Sequence, residues 1–177
     1  MDKLIIEGGA RLKGEVTISG AKNAVLPILA ATLLTDEPCV IKGVPNLRDT
    51  NSMLKILRAL GKVAEFDKGR VNVCAGKVTN YIAEYKLVST MRASFCVLGP
   101  LLGKLKKAKV SYPGGCVIGA RPVDLHLKGI TALGADINIE SGYVVATAKK
   151  LRGAYVYLGG AYGSCVLATD NVMMAAV

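Results

Sequence analysis

Two hydrophobic patterns alternate along the chain. Short runs in which apolar and polar residues alternate, bounded by glycine or charged turns, predict strands, whereas longer apolar runs and residues repeating every three or four positions predict helices. The predicted strands are residues 3–7, 13–19, 39–42, 63–66, 70–74, 108–112, 136–140 and 143–147. The predicted helices are residues 24–34, a helix capped by 45–49 and ending at 60, 89–102, 122–133 and 167–177.

This pattern repeats when the sequence is shifted along itself by 73 residues. Arg48 then falls on Arg121, and the tripeptide 59–61 falls on 132–134, each reading Ala-Leu-Gly. The repeated unit is helix–strand–helix–strand–strand, and a third unit begins near residue 151. Its apolar helix needs a partner surface for its buried face, so we expect this chain to be the N-terminal piece of a longer protein.

Composition narrows the class of partner. The 177 residues are 51% hydrophobic and 20% charged, which is typical of a globular protein, and the formal net charge of +10 predicts anionic partners. No nucleic-acid-binding motif is present, and the lysine run at 104–109 is typical of a solvated surface, so we expect no nucleic acid. The longest apolar stretches, such as 24–34, are too short to span a bilayer, so no membrane partner is expected. Phosphorylated small molecules are more suitable partners than nucleic acid for a basic α/β protein with glycine-lined turns.

The five cysteines lack the spacing of a zinc site or of a disulfide framework. The N-terminus begins with a strand-like run and has no signal-peptide pattern. We therefore expect a reducing, cytoplasmic location and no metal or other cofactor.

Residues 113–126 hold the densest group of chemically distinctive residues. Gly114 and Gly115 allow a sharp turn or a close approach to a ligand, Cys116 supplies a thiol, and Arg121 precedes Pro122 at the expected start of a helix. A helix N-terminus beside an arginine favours an anion. The alternative is a glycine-rich surface turn before an ordinary amphipathic helix.

Three motifs together resemble the UDP-N-acetylglucosamine 1-carboxyvinyltransferase (UDP-N-acetylglucosamine enolpyruvyl transferase) family. They are Ser-Gly-Ala-Lys-Asn-Ala at 19–24, Thr-Met-Arg-Ala-Ser at 90–94 and Pro-Gly-Gly-Cys at 113–116. The resemblance implies transfer of the enolpyruvyl group of phosphoenolpyruvate to the 3'-hydroxyl of UDP-N-acetylglucosamine, with release of phosphate, in the first committed step of peptidoglycan synthesis.

The resemblance also implies the fold. The family has two domains, each an inside-out α/β barrel of three repeated units, with the active site in the cleft between them. Residues 1–21 would then be strands that belong with an absent second, C-terminal domain. Residues 22–177 would be the first barrel domain, incomplete here, with two full repeats and a truncated third.

Site roles follow from the same resemblance. Cys116 would be the general acid, able to form an adduct with phosphoenolpyruvate and to be alkylated by fosfomycin. Lys22 and Asn23 would contact phosphoenolpyruvate and the sugar, and Arg92 would bind substrate. The UDP and sugar moieties would be lined by Arg121, Pro122, Val123, Asp124 and Leu125, with Arg121 also facing the phosphate.

Three residues have alternative interpretations. For Lys22 the alternative is a solvated surface charge, and for Arg92 it is a snorkelling helix residue. His126 follows the segment, and a structural role is the alternative to a role in seating it.

One stretch departs from the family. Residues 159–169 are longer than the usual Ser-Val-Gly-Ala-Thr run, and Leu167 replaces its glycine, which puts uridine contacts there in doubt. The family's base, an aspartate, and a further arginine would lie beyond residue 177, so we expect the chain alone to be inactive. The alternatives are the shikimate-pathway enolpyruvyl transferase and a non-catalytic remnant that binds UDP-sugars or another protein.

Overall fold

The first repeat unit forms a three-stranded sheet with two helices. The computed structural model of the protein describes residues 3–113, 122–161 and 163–177. In chain order the first unit consists of α1 (Lys22–Ala31, continued by a 3-10 turn at Thr32–Leu34), β1 (Cys39–Lys42), α2 (Arg48–Ala59), β2 (Ala64–Asp67) and β3 (Arg70–Val73). Strand β3 lies in the centre, antiparallel to both β1 and β2.

The second unit repeats this arrangement with one strand added. Its elements are β4 (Ile82–Ala83), α3 (Tyr85–Val88), a 3-10 helix (Arg92–Val97), α4 (Leu98–Leu105), β5 (Lys107–Ser111), α5 (Asp124–Ala132), β6 (Asp136–Glu140) and β7 (Tyr143–Thr147). Strand β7 lies between β5 and β6 and is antiparallel to both, as β3 is to β1 and β2, and β4 adds in parallel to β5. The repeat predicted from the sequence is therefore confirmed.

The strand ladders refine the register of the repeat. Val71 and Val144 are 73 residues apart, but they pair with Ile41 and Val110, which are only 69 apart. The 73-residue shift thus holds for the helices and hairpins but not for the first strand of each unit. Unit one has four extra residues between its first helix and first strand, and unit two has four extra residues between its first strand and second helix. The added length in unit two falls in the glycine-rich segment.

The third unit contributes a short hairpin and a helix. These are β8 (Gly159–Gly160), β9 (Gly163–Ser164) and α6 (Val166–Ala176). Helix α6 packs against α4 and α5. The α4–α6 crossing is close because a Cβ on Gly99 would lie 2.0 Å from the Asn171 carbonyl oxygen, so only glycine fits there.

Helices lie inside and sheets lie outside. Residues 98–102 of α4 are all buried, and α4 packs on β5 and β7. On β1 and β3 alternate residues point to the core and to solvent, so one face of that sheet is open. Within the described ranges neither of the larger sheets closes on itself, and the mixed α/β architecture fits an incomplete inside-out barrel.

Two sequence predictions need correction. Residues 3–7 and 13–19 do not form strands, and Leu4 and Leu12 are each 93% exposed; a strand needs a neighbour for its backbone bonds, and these segments have none among the described residues. Pairing with chain outside these 177 residues stays a prediction.

The helix predicted at 89–102 is interrupted and ends at Leu105. Met91 has extended dihedrals, and the Ser94 hydroxyl bonds to the carbonyls of Val88 and Met91 in place of a continuing helix turn.

Candidate functional site

Lys22 and Asn23 are the first two residues of α1, and both are exposed. The chain enters the helix through Gly20, where a Cβ would lie 1.8 Å from the Gly43 carbonyl oxygen, so glycine is required to bring α1 against the β1–α2 loop. The first backbone N–H groups of a helix have no acceptor within it and carry partial positive charge. The Lys22 ammonium and this helix end therefore favour an anion at the same place.

Asp49 holds Lys22 by an ion pair that the sequence analysis did not find. Lys22 Nζ lies 3.0 Å from Asp49 Oδ2, and the two side chains are 48% and 29% exposed. Asp49 lies in the first turn of α2 and follows Arg48, the repeat equivalent of Arg121. The repeat was the one available signal, since it marks the start of α2 as the counterpart of the predicted substrate segment.

Arg92 and Pro122 are brought into contact although 30 residues separate them. Arg92 opens the 3-10 helix, and its Nη2 donates a hydrogen bond of 2.8 Å to the Pro122 carbonyl oxygen. The 3-10 helix packs against α1, which carries Lys22. The half-buried guanidinium is thus a bridge between two segments predicted separately to bind substrate.

The next three predicted residues begin α5. Val123 is its N-cap and is buried, Asp124 lies exposed in the first turn, and Leu125 is partly buried. A Cβ on Gly160 would lie 3.5 Å from Leu125 Cδ2, so the β8–β9 hairpin lies against this segment. Residues 122–125 thus contact the 3-10 helix through Pro122 and the β8–β9 hairpin of the third unit through Leu125.

His126 is buried behind this segment and is neutral at ordinary pH. Burial, with a smaller contribution from the positive charge of Arg92, lowers its pKa to about 4, against the opposing effect of Asp124. Its ring meets that of Phe95 edge to face at 5.2 Å between centroids. A buried, neutral ring packed against Phe95 is typical of a histidine with a structural role, which was the alternative given for His126.

Cys116 and Arg121 lie outside the described residues. Hydrogen bonds hold the residues on either side of this segment. The Tyr112 N–H donates to the Gly142 carbonyl oxygen before it, and Arg92 donates to the Pro122 carbonyl oxygen after it. The predicted roles of Cys116 and Arg121 stay predictions.

The other four thiols are free, and one of them is shielded from chemistry. Cys96 is buried, its Sγ donates to the Leu167 carbonyl oxygen at 3.8 Å, and burial raises its pKa to about 12. Such a thiol holds its proton at neutral pH and is a poor nucleophile. Cys39 and Cys165 are partly buried, and Cys74 is exposed.

Leu167, which replaces the glycine of the family run, has a packing role. It lies in α6 one residue after the start of that helix and packs partly buried against the core. Cys165 is the N-cap of the same helix.

In the described ranges, no group of three or more His, Cys, Asp or Glu side chains lies close enough together to hold a metal ion. Each helix in the same ranges is too short or too polar to cross a bilayer.

Comparison with known proteins gives consistent matches. The family model described as EPSP synthase (3-phosphoshikimate 1-carboxyvinyltransferase) matches residues 6–177. The chain is 57% identical over 176 residues to the UDP-N-acetylglucosamine 1-carboxyvinyltransferase of Methylacidiphilum infernorum, and 54% identical to those of Dichelobacter nodosus and Myxococcus xanthus. These alignments cover 99–100% of this chain but only 42% of each relative.

Solved structures agree on the fold. The enolpyruvyl transferase NikO from Streptomyces tendae superposes with a TM-score of 0.74 at 24% identity, over 95% of this chain and 39% of that one. EPSP synthase from Acinetobacter baumannii superposes with a TM-score of 0.68 at 18% identity, over 92% of this chain and 37% of that one.

Proposed function

Because the chain belongs to the EPSP synthase family, we propose that it supplies one wall of an enolpyruvyl transferase site that takes phosphoenolpyruvate and UDP-N-acetylglucosamine. The choice of sugar nucleotide over 3-phosphoshikimate follows the names of the relatives at 54–57% identity. The role would be the first committed step of peptidoglycan synthesis, a cytoplasmic reaction that serves cell-wall growth, cell shape and cell division.

The observation that carries the proposal is the hydrogen bond from Arg92 to Pro122. It joins two segments, each expected to bind substrate, at the start of two neighbouring helical elements. Lys22 and Asn23 begin a third helix packed against the first of these. Phosphoenolpyruvate and a nucleoside diphosphate are both anionic, and helix N-termini with lysine and arginine are suited to them.

The reaction assigns a task to each group. The 3'-hydroxyl oxygen of the sugar bonds to C2 of phosphoenolpyruvate while a proton goes to C3, and the hydroxyl proton passes to a base. The bond between C2 and the phosphate oxygen then breaks, phosphate leaves, and a proton departs from C3 to restore the enol ether. Cys116 would donate the first proton to C3, Lys22 and Asn23 would contact phosphoenolpyruvate and the sugar, and Arg92 would bind substrate. The segment from Arg121 to Leu125 would line the UDP and sugar moieties, with Arg121 also facing the phosphate.

The base and a second arginine are proposed to come from chain beyond these 177 residues, in the C-terminal domain. The chain spans about two fifths of the length of the curated relatives it matches, so the activity is proposed for the whole protein. The alternatives are the shikimate-pathway enolpyruvyl transferase and a remnant without turnover that binds UDP-sugars or another protein.

A chimaera tests the proposal. Residues 1–177 would replace the segment they match in the Methylacidiphilum relative, and phosphate release would be followed with both substrates. We expect turnover from the chimaera and none from the isolated chain. A folded chimaera that binds UDP-N-acetylglucosamine without turnover would favour the remnant.

Fosfomycin labelling tests the assignment of Cys116 in the same chimaera. Mass spectrometry should find one adduct on Cys116, and Cys116→Ser should abolish it, while Cys74→Ser, which removes an exposed thiol, should not. Unchanged labelling of the Cys116→Ser variant would contradict the assignment.

A further inference from the structure

We propose that Asn171 is a positioning residue that holds the segment 122–125 in place through the ring of His126. The inference rests on the proposed function, since it concerns how the sugar-nucleotide segment of that site is held. Asn171 lies on α6, in the third unit, and the segment begins α5 in the second unit.

All polar atoms of the Asn171 side chain are engaged although the residue is fully buried. Its Oδ1 accepts the Gly99 backbone N–H at 2.5 Å. Its Nδ2 donates to the Phe95 carbonyl oxygen at 3.2 Å and lies 3.0 Å from Nδ1 of His126. One amide thus joins α6 to the 3-10 helix, to α4 and to α5.

These contacts settle the direction of the bond to His126. Because Gly99 N–H can only donate, the atom facing it must be the amide oxygen, and Nδ2 must face Phe95 and His126. Nδ2 carries two protons, one for each neighbour. Nδ1 of His126 is therefore the acceptor, and the proton of the neutral ring lies on Nε2.

The segment is held at both ends by this arrangement. Arg92 bonds to the Pro122 carbonyl at its beginning, and Asn171 bonds to His126 directly after its end. Both anchors involve the same 3-10 helix. Arg92 is its first residue, and Asn171 donates a hydrogen bond to the carbonyl oxygen of Phe95 in that helix. Loss of the second anchor removes the hydrogen bond at the end of the segment and leaves the one at Pro122 in place.

Simple packing is the competing explanation, since the His126 ring also lies edge to face with Phe95. Two substitutions separate the explanations. In His126→Asn the side-chain amide occupies the position of Nδ1 and offers an acceptor to Asn171, whereas in His126→Gln it reaches the position of Nε2. Both variants lose the ring, so a difference between them reports the hydrogen bond.

The experiment measures the dissociation constant of UDP-N-acetylglucosamine by calorimetry in the chimaera described above. We expect His126→Gln to bind about three- to tenfold more weakly than His126→Asn, the range that one net hydrogen bond provides. Asn171→Leu also leaves the Gly99 N–H and the Phe95 carbonyl oxygen without this partner, so it should bind at least as weakly as His126→Gln. Adding His126→Gln to Asn171→Leu should weaken binding no further, because the bond between the two side chains is already lost. Leu57→Ala, a cavity in the first unit, controls for lost stability and should bind as the parent does.

Hydrogen exchange of peptides covering 122–133 gives a second readout that needs no ligand. Exchange there should be faster in His126→Gln than in His126→Asn. Equal dissociation constants and equal exchange in the two variants would overturn the positioning role. If the parent chimaera binds no UDP-sugar, the proposed function fails, and the exchange comparison alone decides whether Asn171 positions the segment.

Discussion

At the scale of single residues, the site depends on a pair that local sequence does not reveal. Lys22 is recognisable from its motif, but its partner Asp49 lies 27 residues further along the chain, and only the folded structure places the two 3.0 Å apart. The same holds for Asn171 and His126, 45 residues apart. Motifs predict which residues face a ligand, whereas the residues that pack behind them are determined by the tertiary structure.

Replacing Asp49 tests whether it orients Lys22. In the chimaera, Asp49→Asn should raise the KM for phosphoenolpyruvate by up to about fivefold, because a partly exposed ion pair contributes up to about 1 kcal/mol. Stability should change little. Asp36→Asn is a matched control, since it removes an ion pair with Lys104 at the opposite end of α1, and it should leave KM unchanged. An equal effect of both substitutions would contradict the orienting role.

His126 should give the chain a measurable acid sensitivity. Its pKa is about 4 in the folded chain against an ordinary 6.5, so between these values the unfolded chain binds the extra proton. Its contribution is present above pH 6.5 and is lost as the pH falls toward 4, by roughly 3 kcal/mol in all.

Chemical denaturation of the chimaera at pH 4.5 and pH 7 measures this loss. His126→Asn cannot titrate, so its free energy of unfolding should fall less over that interval than that of the parent. The same slope in both would show that His126 is not the group responsible.

At the scale of elements, prediction succeeded where structure is local. The strands at 136–140 and 143–147 and the turn between them were predicted to the residue, because alternation and a Ser-Gly turn specify a hairpin without outside help. The break at Met91 and the two-residue strand β4 were missed, since the first depends on the bonds of the Ser94 hydroxyl and the second on pairing with β5. Residues 3–7 and 13–19 are not strands among the described residues, where they have no neighbour to pair with, and their pairing with further chain stays a prediction.

Unit two has four more residues than unit one in the glycine-rich segment, and the effect of removing this added length can be measured. Between positions equivalent by ladder and helix register, unit one has five residues (43–47) and unit two has nine (112–120). Replacing 112–120 by the sequence of 43–47 in the chimaera should leave the free energy of unfolding within about 1 kcal/mol, since shortening a loop changes closure entropy only slightly.

Turnover should nevertheless disappear, because the swap removes Cys116 and its glycines. Cys116→Ser in the intact loop is the control for the thiol alone. A loop-swapped chimaera that keeps its activity would show that the added residues have no part in the reaction.

At the scale of the whole molecule, the repeat architecture and the family were evident from sequence, and both are confirmed by the sheet pairings and by the family match. The residues that complete the proposed site are expected in further chain, because the relatives are more than twice as long as these 177 residues. Exposed apolar side chains such as Ile6 and Tyr155 are available for contact with further chain, and that contact stays a prediction.

The acceptor used by the chimaera tests the central claim most directly. Phosphoenolpyruvate would be offered with UDP-N-acetylglucosamine or with 3-phosphoshikimate, and the products identified by mass. The account predicts enolpyruvyl-UDP-N-acetylglucosamine and one phosphate per product, with no transfer to 3-phosphoshikimate. Transfer to 3-phosphoshikimate, or to neither acceptor in a folded chimaera, would contradict it.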